Sequence, residues 1–149
     1  APETLQRAVF LPKMSRQNFI GLLGVVDFLL DPIYFGSGNT FYEAMAFGTP
    51  IVTMPGKRMS GRGVLGGYRQ MQIERPPVAN SVAEYVEWSV RLGSNKEGLA
   101  ALRARLRTAA ERYLFDDAQA GEEFAQFIKA AVIASREGGK LPERWLARR

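Results

Sequence analysis

The segment best suited to binding chemistry is a glycine-containing loop with a predicted helix directly after it. Gly36, Gly38 and Asn39 lie in the loop, Thr40 opens the helix, and Glu43 follows one turn later. The first N–H groups of a helix have no intrahelical partner and carry partial positive charge, so they favour an anion such as a phosphate. Glycine lets a ligand approach the backbone without a Cβ in the way, and the Thr40 hydroxyl adds a donor. The spacing therefore predicts a phosphate site at this loop.

The loop does not match either of the common nucleotide-binding motifs. Gly36-x-Gly38 lacks the third glycine of a dinucleotide fingerprint, because position 41 is Phe. Gly56-Lys57 is followed by an arginine where a P-loop has Ser or Thr. Dinucleotide and P-loop chemistry are therefore not predicted.

Thr40 and Glu43 have two interpretations. Thr40-x-x-Glu43 has the spacing of a capping box, which would account for both residues structurally. Alternatively, a carboxylate beside a bound diphosphate serves another group of the ligand, since it would repel the phosphates themselves. Ribose hydroxyls are such a group, so a sugar nucleotide would use both the loop and Glu43.

The composition excludes several kinds of catalysis. The chain has 149 residues and contains neither histidine nor cysteine. An imidazole base, a Ser-His-Asp triad, a cysteine nucleophile and a His- or thiolate-ligated metal are therefore impossible within it, and no metal site is predicted. With 46% hydrophobic and 23% charged residues, the composition is that of a globular domain.

Charge indicates an anionic partner without naming one. Lys and Arg number 20 and Asp and Glu 15, giving a net charge of +5. Much of the excess lies late in the chain, at Arg103, Arg105, Arg107, Arg112, Arg136, Lys140, Arg144, Arg148 and Arg149. We expect a solvated helix face followed by a basic tail at 136–149, after a single lobe at 1–135. Nucleic-acid binding is the alternative, but it lacks a recognised module and interleaved aromatic residues.

The remaining patterns concern location. No apolar run is long enough to span a bilayer, and the first residues lack the regions of a signal peptide. No membrane association is predicted, and the missing cysteines favour the cytoplasm.

Short apolar runs alternate with helical patterns. Residues 8–11, 28–30 and 51–54 are predicted strands, and 73–79 is a possible edge strand because it contains two prolines. From Ser81 onward the pattern is helical, with Val82, Tyr85, Val86 and Val90 predicted to form one apolar stripe. This order predicts an α/β fold with a partial Rossmann-like parallel sheet and C-terminal helices.

Several motifs together resemble one enzyme family. Asp31-Pro32, Gly38-Asn39-Thr40, Tyr42-Glu43-Ala44 and Gly48-Thr49-Pro50-Ile51-Val52-Thr53-Met54-Pro55-Gly56 resemble the C-terminal lobe of polypeptide O-linked N-acetylglucosaminyltransferases and SPINDLY proteins, bacterial members above all. Tyr68-Arg69-Gln70-Met71 and the segments on either side extend the resemblance over about residues 5–135.

The resemblance implies a fold, an activity and a set of ligands. The fold would be the second half of the C-terminal lobe of a GT-B glycosyltransferase. The activity would be metal-independent, inverting transfer of N-acetylglucosamine, or a related sugar, from a UDP donor to Ser or Thr of proteins. The UDP-sugar is a substrate, and no separate cofactor is implied. By position, Gly38, Asn39 and Thr40 would hold the β-phosphate, Glu43 the ribose, and Arg16 and Phe19 the uracil.

The chain also departs from the family. Gly38 stands where the animal enzymes have a histidine beside the phosphate-contacting threonine, and glycines at 63, 66 and 67 differ from a more helical family pattern. The family's first lobe, its phosphate-binding lysine and its TPR array have no counterpart here, so the acceptor site and any catalytic base are expected outside this chain. Two alternatives remain: a non-catalytic sugar-nucleotide-binding module and a basic interaction module. An exposed sheet edge would also favour association of copies.

Overall fold

The computed structural model of the protein describes residues 2–143 and 145–147. The helices are α1 (Pro2–Leu5), α2 (Arg16–Val25), α3 (Asn39–Met45), α4 (Gly63–Gln70), α5 (Val82–Ser94), α6 (Lys96–Tyr113) and α7 (Ala118–Arg136). The strands are β1 (Leu29–Leu30) and β2 (Ile51–Val52), and a 3₁₀ turn covers Met59–Gly61. The predicted basic residues Arg144, Arg148 and Arg149 lie outside the described residues. The predicted boundary between 135 and 136 stays a prediction.

The sheet is small and parallel. Leu29 pairs with Ile51 and Leu30 with Val52, and beyond β2 a single parallel bridge joins Thr53 to Val78. The predicted β–α–β order is confirmed for β1, α3 and β2, because a helix connects two parallel neighbours. The segment at 73–79 supplies one bridge rather than a strand. The structure is thus α-rich, with a two-stranded parallel sheet of the α/β kind.

The predicted strand at 8–11 is wrong. These residues form no strand, and Val9, Phe10 and Leu11 are 80%, 96% and 55% exposed. A strand requires backbone partners, and none of the described residues pairs with this segment. Leu30 of β1 is 55% exposed. The predicted association of copies through a sheet edge stays a prediction.

The main core lies where α3, α4 and α6 meet the sheet. Its buried members are Phe41, Ala44, Met45, Ile51, Val64, Tyr68, Met71, Leu106, Ala110 and Leu114. The Tyr68 hydroxyl accepts a hydrogen bond from Ile51 N–H at 2.8 Å and donates one to Ile51 C=O at 2.9 Å. It therefore provides the two hydrogen bonds that a neighbouring strand would give β2 at this position.

A tight turn ends α3 and leads into β2. Gly48 has a φ of 66°, and its N–H donates to Met45 C=O at 2.9 Å. A Cβ at Gly48 would overlap the carbonyl oxygen of Arg103. The turn therefore requires glycine both for its backbone conformation and for its close contact with α6.

Local signals set the start of the C-terminal helices. Ser81 caps α5 by accepting a hydrogen bond from Glu84 N–H at 3.2 Å, while Glu84 accepts one from Asn80 N–H at 2.7 Å. Ser81-x-x-Glu84 thus forms a capping box whose return bond is made one residue earlier, at Asn80. Asp117 caps α7 in the same way through Ala120 N–H at 3.1 Å.

The apolar face of α5 differs from the predicted one. The residues of α5 that pack inward are Tyr85, Trp88 and Leu92. The valines of the predicted apolar stripe are exposed at Val82, Val86 and Val90. The stripe is displaced because tertiary packing selects the face with the larger aromatic side chains.

Arg103 is not a solvated member of a basic face. Its guanidinium donates to the carbonyls of Val26 at 2.6 Å, Asp27 at 3.1 Å and Gly24 at 3.0 Å. A cation at the C-terminal end of a helix is electrostatically favourable, so Arg103 fastens α6 to the end of α2. In the described part of the chain no helix is long and apolar enough to cross a membrane.

Candidate functional site

The predicted binding residues lie on neighbouring ends of α2 and α3. Ser15 caps α2 by accepting a hydrogen bond from Asn18 N–H at 3.2 Å, which places Arg16 in its first turn and Phe19 one turn later. Phe19 is half-buried and belongs to neither buried core cluster. The partial exposure of this ring is compatible with the ligand contact that the resemblance implies.

The structure brings two of the predicted ligands into contact. Arg16 Nη2 lies 3.3 Å from Glu43 Oε1, and the side chains are 82% and 21% exposed. An exposed ion pair of this kind stabilises a protein by at most about 1 kcal/mol. The pair therefore orients Glu43 without holding it strongly, and Oε2 is not part of the contact.

The capping-box interpretation of Thr40 is wrong. The helix begins one residue earlier, at Asn39, so Gly38 is the N-cap, and no side-chain hydrogen bond caps the helix. Glu43 contacts Arg16 instead of reaching back to the backbone. Neither Thr40 nor Glu43 is thus needed to start α3.

Gly38 and the first residues of α3 present unused donors. Within α3, Phe41 N–H is the first with a backbone partner, Gly38 C=O at 3.0 Å. Within the described residues, the N–H groups of Gly38, Asn39 and Thr40 have no acceptor. Because α3 has only seven residues, its dipole is short, and any anion binding would rest mainly on these loop amides and the Thr40 hydroxyl.

Sequence reasoning missed the residue that fixes this loop. Asp31 follows β1, is 2% exposed, and accepts hydrogen bonds at Oδ1 from Ser37 N–H at 2.6 Å and Ser37 Oγ at 2.9 Å. Its Oδ2 accepts one from the Thr53 hydroxyl at 2.7 Å. The sequence singled out Asp31 only as part of the Asp31-Pro32 motif of the resemblance, without a role of its own. An acidic residue directly after an apolar predicted strand, followed by a Ser-Gly loop, was the available signal.

Two glycines allow the loop its close contacts. A Cβ on Gly36 would lie 2.9 Å from Asp31 Oδ2, and a Cβ on Gly63 would lie 3.0 Å from Ser37 C=O. Gly36 is therefore needed for packing on Asp31 rather than for the approach of a ligand. At Gly38 nothing lies within 4 Å of the Cβ position, so the space beside this residue is open.

Tyr85 borders the site from α5. Its hydroxyl donates to Asp31 C=O at 3.0 Å. Burial, and to a smaller extent the charge of Asp31, raises the pKa of Tyr85 above its ordinary value of 10.0. Burial also raises the pKa of Tyr68 strongly, with the Asp31 charge adding to it and the hydrogen bond to Ile51 opposing it.

These two tyrosines predict alkaline destabilisation. Both pKa values are raised in the folded state, so the folded protein holds these protons more tightly than the unfolded chain does. Their stabilisation should be complete below about pH 10 and decrease as the pH rises through the folded-state values. Urea unfolding between pH 8 and 11.5 measures this, and Tyr85→Phe should show a shallower decline than the wild type. An identical decline in Tyr85→Phe would contradict the contribution of Tyr85.

The arrangement is chemically suited to binding rather than to proton transfer. It offers backbone N–H groups and a hydroxyl for an anion, and a carboxylate for hydroxyl groups one helical turn away. A cavity of about 720 Å³ lies elsewhere, between α6 and the segment after α4, and none of the residues predicted to bind the UDP-sugar lines it. At the candidate site the Arg16 side chain is 82% exposed and nothing lies within 4 Å of a Cβ at Gly38, so the site is open to solvent.

Comparison with solved structures identifies a similar region in a known enzyme. A lysine-to-methionine mutant of the O-GlcNAc transferase from Thermobaculum terrenum matches with a TM-score of 0.64 and 28% sequence identity. The match covers 72% of this chain and 20% of that chain, so this protein corresponds to about a fifth of the length of the transferase. No family model matches the sequence, and no curated protein matches it. The comparison supports a glycosyltransferase-like region.

Proposed function

We propose that this chain is the UDP-binding half of the C-terminal lobe of a GT-B glycosyltransferase. The enzyme would move N-acetylglucosamine, or a related sugar, from UDP to Ser or Thr hydroxyls of proteins, with inversion and without a metal. The observation that carries the proposal is the structural match to an O-GlcNAc transferase at 28% identity and a TM-score of 0.64. The acceptor site and the catalytic base would be supplied by protein regions outside this chain.

The donor would bind across the ends of α2 and α3. The free N–H groups of the loop and the Thr40 hydroxyl would bind the β-phosphate, and Glu43 would accept hydrogen bonds from the ribose. Arg16 and Phe19 would contact the uracil. Support comes from the open space beside Gly38 and from the 3.3 Å contact between Arg16 and Glu43, two residues proposed to bind the same ligand.

The same donors would also assist the reaction. When the sugar leaves, negative charge builds up on the diphosphate, and hydrogen-bond donors fixed in advance stabilise that charge more than the ground state. The loop is held by Asp31 through two hydrogen bonds at Ser37, which gives its donors a fixed direction. The role proposed for this chain is therefore donor binding and stabilisation of the leaving group.

Replacing Thr40 tests the binding mode. We expect Thr40→Ala to weaken UDP binding about 10- to 150-fold, because a hydrogen bond to a charged group contributes about 1.5–3 kcal/mol. Its thermal stability should match that of the wild type, because the Thr40 hydroxyl caps no helix. Calorimetric titration with UDP and a thermal melt measure the two quantities. Thr40→Ser is the matched control, since it keeps the hydroxyl and should keep the affinity.

Other outcomes would favour different functions. Binding of UDP that is no tighter than that of inorganic pyrophosphate, and that falls steeply with salt, would indicate a basic interaction module instead. Equal UDP affinity in Thr40→Ala and the wild type would contradict the assignment of the loop. Sugar transfer by the longest natural polypeptide that contains this sequence, reduced by Thr40→Ala, would distinguish an enzyme from a non-catalytic binding module.

A further inference from the structure

We propose that Asp31 is a positioning residue that holds the loop at 36–40 in the conformation that receives a diphosphate. The inference rests on the proposed function and extends it to a residue that contacts no ligand itself. It concerns the direction in which the N–H groups at 38–40 point, and it predicts an effect on one part of the ligand only. Asp31 should matter for the diphosphate part of a nucleotide and not for the nucleoside part.

The geometry of the carboxylate supports this role. Asp31 is 2% exposed, and both of its oxygens accept hydrogen bonds. Oδ1 receives two of them from one residue, Ser37, through its N–H and its hydroxyl. Oδ2 receives the third from Thr53, which follows β2. One side chain thus joins the carboxyl ends of both strands to the start of the loop.

The hydrogen bonds between Asp31 and Ser37 lie directly before the N–H groups that are proposed to bind the diphosphate. Ser37 directly precedes Gly38. The N–H of Gly38 is the first of three consecutive N–H groups, at 38–40, that have no acceptor within the described residues. Because Ser37 N–H points inward to Asp31 at 2.6 Å, the peptide at Ser37 is fixed and the chain leaves it toward open space at Gly38. Loss of the carboxylate would let that peptide rotate, and the following donors would lose their common direction.

Burial of an acidic side chain here is unfavourable unless its hydrogen bonds compensate. In the part of the chain that the structure describes, the ion pairs are made by Arg16, Arg91 and Arg107 with glutamates, and none involves Asp31. A buried carboxylate without a cation depends on its hydrogen bonds. A chain that only had to end a strand would not need a charged group at this position. Hydrogen bonds from Ser37 in the loop and from Thr53 after β2 compensate for the burial of the Asp31 charge.

Four variants separate positioning from general stability. Asp31→Ala removes all three bonds, and Ser37→Ala removes only the hydroxyl bond to Oδ1. Thr53→Val breaks only the bond at Oδ2, on the strand side. Asp31→Asn is the conservative rescue, since its amide oxygen accepts from Ser37 while its nitrogen donates to a rotated Thr53 hydroxyl.

The measurement is the affinity of the 149-residue chain for UDP and for uridine, by calorimetric titration. We expect Asp31→Ala to lose about tenfold for UDP and nothing for uridine. Ser37→Ala should lose about two- to threefold for UDP alone. Asp31→Asn should stay within about twofold of the wild type. Thr53→Val should lower the melting temperature without changing the ratio of the two affinities.

The inference would be overturned if Asp31→Ala left that ratio unchanged or lowered both affinities equally. If Asp31→Ala does not fold, an unchanged ratio in Ser37→Ala overturns it. Hydrogen exchange of the Phe41 amide, which is bonded to Gly38 C=O, gives a second readout without ligand, expected to be faster in Asp31→Ala, or in Ser37→Ala, than in Thr53→Val. If the wild type fails to bind UDP, the proposed function is wrong, and exchange rates that do not differ would refute the positioning role separately.

Discussion

Replacing Tyr68 by Phe is expected to lower the free energy of unfolding by about 3 kcal/mol. The substitution removes only a hydroxyl group, but that group is fully buried and bonds both the N–H and the C=O of Ile51. Each buried backbone group left without a partner costs about 1–3 kcal/mol. Water cannot replace the hydroxyl, because Ile51 is 0% exposed and lies in the main core.

The matched control is Tyr42→Phe. Tyr42 is 48% exposed, and in the described structure its hydroxyl makes no hydrogen bond, while its ring packs edge-to-face on Phe41. This variant should change stability by less than about 0.5 kcal/mol, as surface substitutions usually do. Urea unfolding of both variants with unchanged m-values gives the comparison. A difference below about 1 kcal/mol between Tyr68→Phe and the wild type would show that the Ile51 backbone finds other partners.

Helix positions could be predicted from the sequence because their signals are local. Ser15, Ser81 and Asp117 each cap the helix that follows, through a side-chain oxygen and a backbone N–H three residues later. Such bonds form between residues that are already neighbours, so tertiary structure does not need to be known. The β–α–β order around α3 follows from similarly local turn signals.

The sheet edge and the helix faces could not be predicted in this way. Residues 8–11 have the composition of a strand, but strand formation needs a backbone partner that no local pattern reveals. On α5, Val86 and Tyr85 were both placed on the apolar stripe, yet only Tyr85 packs inward. Adjacent positions on a helix point about 100° apart, so the choice of face depends on what the sheet presents.

In the candidate site, too, the residues could be predicted from the sequence, but the contacts between them could not. The sequence located the loop and Glu43, and the resemblance added Arg16 and Phe19 as possible ligands. It did not reveal that Arg16 contacts Glu43, or that Asp31 bonds Ser37 and Thr53. These partners are separated by 27, 6 and 22 positions, so only the folded chain brings them together.

Two glycines of α4 pack closely against the core and against the loop of the candidate site. By propensity, each glycine in a helix is unfavourable by about 1 kcal/mol relative to alanine, so their number in this helix was unexpected. The structure explains two of them. Gly63 faces the carbonyl of Ser37, and a Cβ on Gly67 would overlap the ring of Phe41. Gly66 is exposed and has nothing within 4 Å of its Cβ position.

These neighbours provide the second large prediction, in which adjacent substitutions have opposite effects. Gly67→Ala should destabilise the protein by about 2 kcal/mol, since overpacking of a buried site costs about 1–3 kcal/mol and exceeds the gain in helix propensity. Gly66→Ala should stabilise it by about 0.5–1 kcal/mol, because alanine restricts the unfolded chain and meets no neighbour. Urea unfolding gives the change in the free energy of unfolding for each variant, and the two changes should have opposite signs.

The effect of Gly67→Ala should also reach the loop proposed to bind the diphosphate. Phe41 is 2% exposed and directly follows Thr40, so a displaced ring would move the residue proposed to hold the phosphate. UDP affinity should therefore fall in Gly67→Ala and remain unchanged in Gly66→Ala, at temperatures where both variants are folded. If Gly67→Ala were as stable as Gly66→Ala, Phe41 would have room to move, and the close packing of α3 on α4 would not constrain the loop.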